Sequence, residues 1–143
     1  MKKKVALMLC LCTLLVQISS LTVMAANSNF AFVYSYNGEK FSQTKTKAND
    51  GDRLAYVTPK SSLTGYGSST LFKNGGTAYF RMRTPAVNPA NGTMASTLHT
   101  TKSFARGTMT YYSGYGIGNK QYMLTTECSG QSKSSTLVGV WCP

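Results

Sequence analysis

Residues 77–84, Thr-Ala-Tyr-Phe-Arg-Met-Arg-Thr, alternate with a period of two. In an extended chain successive side chains point to opposite faces, so Ala78, Phe80 and Met82 share one face and Tyr79, Arg81 and Arg83 the other. A helix would spread the same residues around its circumference. Residues 29–36 repeat the pattern, with Phe30, Phe32, Tyr34 and Tyr36 on one side and Ala31, Val33 and Ser35 on the other.

Turn chemistry separates these runs. Asn37-Gly38 tolerates positive φ at both positions and predicts a hairpin whose return strand covers 41–47. Asn49-Asp50-Gly51 ends that strand, and a third covers 53–58, stopped by Pro59. Residues 60–69 read as loop, 70–73 as a short strand before Asn74-Gly75-Gly76, and 85–92 as loop. Further strands are expected over 107–112, 120–128 and 136–142, while 94–106 fits either a short helix or extended chain. Seven to nine short strands with such spacing predict one all-β domain, an antiparallel β-sandwich or small barrel. Its expected core holds Phe32, Tyr34, Phe80, Met82, Leu124, Val138 and Val140, with Trp141 on the opposite side of its strand.

The N-terminus reads differently. Lys2-Lys3-Lys4 precede an apolar run over 5–16, and Val23-Met24-Ala25 offers small residues where a signal peptidase reads. Residues 1–25 are therefore expected to be a signal peptide, cleaved near Ala25-Ala26, with 26–143 the secreted domain. Of the four cysteines, Cys10 and Cys12 fall in the signal, leaving Cys128 and Cys142. An even pair in an oxidising compartment predicts a structural disulfide, worth about 3 kcal/mol for a loop of this length.

Candidate chemistry is sparse. The acids are Glu39, Asp50, Asp52 and Glu127, and His99 is the one histidine. No Gly-x-Ser-x-Gly elbow is present, three of the acids sit beside turns, and Asn49-Asp50-Gly51-Asp52 lacks the alternating ligands and distal Glu of a calcium loop. The sequence thus predicts no enzyme, no metal and no cofactor. Asn91-Gly92-Thr93 fits a glycosylation acceptor and, equally, a plain turn.

Positive charge is the feature that remains. Fifteen Lys and Arg less the three of the signal leave twelve, against four Asp and Glu, a net charge of +8. Charged residues are scarce, which excludes charge-driven disorder and coiled coil. Lysines on strands guard sheet edges against pairing, and the same charge attracts a polyanion; both readings stand. The sharper one places a binding row at Tyr79, Arg81 and Arg83, where guanidinium forks two residues apart meet phosphates. A second candidate is the run 111–119, whose Tyr111, Tyr112 and Tyr115 among three glycines either stack on sugars and lipid or cap the core.

The tail Tyr112-Ser113-Gly114-Tyr115-Gly116-Ile117-Gly118-Asn119-Lys120-Gln121-Tyr122-Met123-Leu124, closing with Gly139-Val140-Trp141, resembles small secreted all-β proteins of unknown function from Gram-positive bacteria. Some of those lie near bacteriocin-type export and immunity systems, which implies an envelope or antimicrobial context. The resemblance covers the signal and about the last 30 residues, while 49–106 matches no family. It carries no catalytic residues. The expected function is non-catalytic binding to an anionic cell-envelope component, wall polymer or membrane surface. The alternative is a bacteriocin-like effector acting on competitor membranes. Nucleic acid is disfavoured, since the aromatic motif of an RNA reader is absent.

Overall fold

A computed structural model describes residues 27–35 and 38–143. The signal expected over 1–25, and Tyr36 and Asn37 of the expected turn, lie outside the described residues.

Ten strands follow one another: β1 (Ser28–Tyr34), β2 (Lys40–Thr46), β3 (Leu54–Lys60), β4 (Ser62–Leu63), β5 (Gly67–Ser68), β6 (Thr77–Arg83), β7 (His99–Thr101), β8 (Gly107–Thr110), β9 (Gln121–Ser129) and β10 (Ser135–Cys142). They form two four-stranded antiparallel sheets, β1-β10-β3-β8 and β2-β9-β6-β7, and a small β4-β5 hairpin. The sheets do not close into a barrel. This is a β-sandwich.

The alternation in the sequence explains the core. Phe30, Phe32 and Tyr34 of β1 face inward, as do Ala78, Phe80 and Met82 of β6, and all six are buried. Phe30 and Phe80, from opposite sheets, bring their ring centroids to 6.0 Å. Tyr34 crosses the same gap to donate its hydroxyl to Thr126 Oγ1 at 3.0 Å. Burial of each large apolar side chain contributes about 1.5–3 kcal/mol, so these layers dominate stability.

Four expectations are corrected. β1 and β2 do not form a hairpin: β1 pairs with β10 and β2 with β9, so the chain changes sheet between them. Turn chemistry reports a reversal of direction and is silent on which sheet the returning strand joins. Second, β10 turns Leu137 and Trp141 into the core, and Val138 and Val140 lie on its other face. Third, the strand and loop exchange places around residue 69: 60–69 hold the end of β3 and the β4-β5 hairpin, whereas 70–73 are no strand and 71–75 form a turn that buries Leu71. Fourth, Pro59 lies within β3 instead of ending it, beyond Val57, the last residue paired with β8. That side of β3 is an edge, where a residue without an N–H is tolerated. The undecided stretch 94–106 is extended, with bridges at Met94 and Ser96 and strand β7; the one helical element among the described residues is the 3₁₀ turn Pro89–Asn91.

The expected disulfide is also overturned. Cys128 and Cys142 are not joined. Cys128 faces the core near the end of β9, whereas Cys142 ends β10, seven residues beyond the strand's start at Ser135. Seven steps of extended chain carry it about 24 Å from the connecting loop. Bridged cysteines need Cα atoms within about 7 Å. The parity is wrong too: Trp141 points inward, so its neighbour Cys142 points out.

Candidate functional site

Tyr79, Arg81 and Arg83 do share the outer face of β6, but the three side chains are committed differently. Arg83 is buried; its Nη2 donates to Glu39 Oε1 at 2.6 Å and its Nη1 to the carbonyls of Gly92 and Ala90 at 2.8 and 3.1 Å. It pins the proline-containing loop 85–93 to the sheet. Arg81 is half-buried, with Nη1 2.7 Å from Met94 Sδ, and the Tyr79 hydroxyl is 2.9 Å from Ser129 Oγ. The row exists, yet its strongest fork holds the fold together.

The tyrosine loop divides in the same way. Tyr111 is in the core, its ring 4.7 Å from that of Tyr122. The Tyr122 hydroxyl accepts the amides of Gly116 and Ile117 at 2.9 and 3.3 Å. Tyr115 is half-buried against the core, and Tyr112 and Ile117 are exposed. Ile117 and Tyr115 line a hollow of about 470 Å³ with Pro85, Thr84 and Lys120. Of the three nominated tyrosines, Tyr112 is the one left exposed.

The buried cations decide where the charge acts. Lys47, fully buried, donates to Asp50 Oδ1 at 3.1 Å and lies 5.9 Å from the Tyr111 ring centroid. Burial pulls the Asp50 carboxyl upward, but hydrogen bonds from Lys47 and the Asp52 amide outweigh it and hold the group below its ordinary value. Asp50 and Glu39 thus neutralise Lys47 and Arg83. Twelve cations less these two leave ten, four acids less these two leave two, and the whole +8 stays outside the ion pairs. Asp52 is further occupied by Leu54 N and the Tyr56 hydroxyl, at 3.0 and 3.2 Å.

One group of residues escaped the sequence reading. On the outer face of the β1-β10-β3-β8 sheet, Tyr56, Thr58, Lys60, Arg106, Val140 and Cys142 line a groove of about 430 Å³. The Arg106 guanidinium carbon sits 3.9 Å from the centroid of the Tyr56 ring. Burial, then the adjacent Asp52 carboxylate, pushes the Tyr56 phenol above its ordinary value, so the platform is neutral at any physiological pH. Period-two parity would have placed Tyr56, Thr58 and Lys60 together had the strand been carried past Pro59. Nothing in the sequence signals that Arg106 lies over them.

Burial pushes both the Cys128 and Cys142 thiols above the ordinary cysteine value, which disfavours thiolate chemistry at neutral pH. Among the described residues no three of His, Cys, Asp and Glu converge. No protein-family model, curated protein or solved structure matches the chain.

Proposed function

We propose that the protein is a secreted, non-catalytic binder of an anionic cell-envelope component, wall polymer or lipid. One observation carries this reading: the only two ion pairs among the described residues absorb the buried cations, leaving a surface with ten Lys and Arg against two acids. Such a field attracts polyanions at long range and favours fast association. Edge protection alone does not require that excess, since several of the cations, such as Lys73 and Lys133, lie outside any strand. The test is sedimentation of the purified protein with intact cell walls and with walls stripped of anionic polymer. Retention by the first and loss from the second supports the proposal; equal retention by both refutes it for wall polymer.

A membrane-active effector is the second reading, and a different observation favours it. Ile117 is exposed at the hollow it lines with Pro85 and Lys120, and Val87, two residues beyond Pro85, is exposed as well. Apolar tips beside a lysine suit the interface of an anionic bilayer. Dye release from anionic vesicles separates the two readings, because the binder adheres without leakage.

A further inference from the structure

We infer that the groove over β3 is a phosphate-binding subsite, in which Arg106 and Lys60 hold two anionic groups of one linear phosphate-bearing chain. The inference rests on the proposed binding of an anionic envelope component and names the place and the chemistry.

Arg106 is held in place before any ligand arrives. A surface arginine ordinarily loses rotamer freedom when it grips a ligand, and that loss subtracts from affinity. Arg106 has its guanidinium laid on the Tyr56 ring at 3.9 Å, and Tyr56 is itself fixed by donating its hydroxyl to Asp52 Oδ2 at 3.2 Å. Stacking occupies a guanidinium's face and leaves its N–H edge for an anion. Neither Arg106 nor Lys60 takes part in the two ion pairs of the described residues, and the nearby Asp52 carboxylate accepts from the Tyr56 hydroxyl instead.

Spacing then limits the ligand. The register Val57↔Gly107 sets Arg106 level with Thr58, two residues from Lys60, and its guanidinium reaches back over Tyr56, four residues from Lys60 or about 14 Å of extended strand. A chain with charged groups separated by neutral, hydroxyl-bearing links reaches both, and Thr58 between them offers a hydroxyl midway. Asp52 accepts from the Tyr56 hydroxyl and its carboxylate bounds the groove at that end, so the ligand extends from Arg106 toward Thr58 and Lys60. The groove, at about 430 Å³, holds a segment of such a chain and not a globular partner's face. By contrast Arg83, the residue the sequence nominates, spends its fork on Glu39 and two carbonyls.

The test measures binding of the purified protein to a glycerol-phosphate polymer and, separately, to vesicles containing phosphatidylglycerol, at about 0.05 M salt. Arg106→Gln should weaken polymer binding about tenfold, the loss expected for a charge-assisted hydrogen-bond pair. Arg106→Lys keeps the charge but loses the stacked fork, and it too should weaken binding, by about threefold. Lys102→Gln and Lys133→Gln should each change it by less than about twofold. If wild type binds the polymer but the three charge-removing variants fall equally and Arg106→Lys does not fall, the field is diffuse and the subsite is overturned while the proposed function stands. If wild type binds the vesicles with the same Arg106 dependence and ignores the polymer, the linear chain is overturned and Arg106 serves single lipid phosphates. Failure of wild type to bind either probe overturns both.

Discussion

Arg83 Nη2 lies 2.6 Å from Glu39 Oε1, so the segment preceding β2 is tied to the last residue of β6 across the face of their sheet. Removing one member of a buried ion pair leaves the other uncompensated, at a cost of about 3–5 kcal/mol. Glu39 is partly exposed, so Arg83→Gln should lose about 3 kcal/mol in urea unfolding, and Arg81→Gln less than about 1 kcal/mol. Equal, small losses would show that Arg83 is not a strut.

His99 packs its ring on Phe80, with centroids 6.5 Å apart, in the space Gly107 leaves by lacking a Cβ. Its Nε2 is buried and finds no hydrogen-bond partner among the described residues, and desolvation lowers its pKa below 6.5. The unfolded chain therefore binds the proton more readily than the fold. Stability is fully present above the unfolded value and declines as pH falls through about 6.5 toward the folded value. Thermal midpoints measured from pH 7.5 to pH 5 should fall, and the part of the fall due to this group should vanish in His99→Leu. A variant that keeps the full pH slope would remove His99 as its cause.

The separation of Cys128 from Cys142 has a direct consequence. A digest of unreduced protein should contain no peptide linking the two, because one faces the core and the other an outer groove at the far end of β10. A linked peptide found by mass spectrometry would require a different strand register.

Gly116 has φ +73° and its amide donates to the Tyr122 hydroxyl, while a Cβ there would stand 2.8 Å from the Tyr111 side chain. Gly116→Ala should cost about 1–2 kcal/mol from backbone strain, with further loss from displaced Tyr111. Gly114→Ala, with φ +83° but open space, isolates the strain alone. Equal losses in the two would deny the packing role of Tyr111.

The fold was legible wherever one face of a strand is polar. β6 alternates cleanly, and its sides were assigned from sequence as they stand. β10 defeated the same reasoning because apolar residues occupy both parities: Trp141 on the inner face and Val138 on the outer are each about 1% exposed. Gly139, where a Cβ would meet the Phe30 ring at 2.6 Å, marks the inward face only once β1 is known to lie beside it. The candidate site was half legible for a related reason. Charge is visible in sequence, but whether a cation is committed depends on distant partners, as Glu39 is to Arg83 and Tyr56 to Arg106.

The central claim is that the uncompensated surface charge binds an anionic envelope polymer, and a salt titration tests it most directly. Wall-polymer binding by the purified protein should be strong at about 0.05 M salt and fall more than about tenfold by 0.5 M, where the screening length shrinks to a few ångströms. Binding that ignores salt, or no binding at the lowest salt, would contradict it.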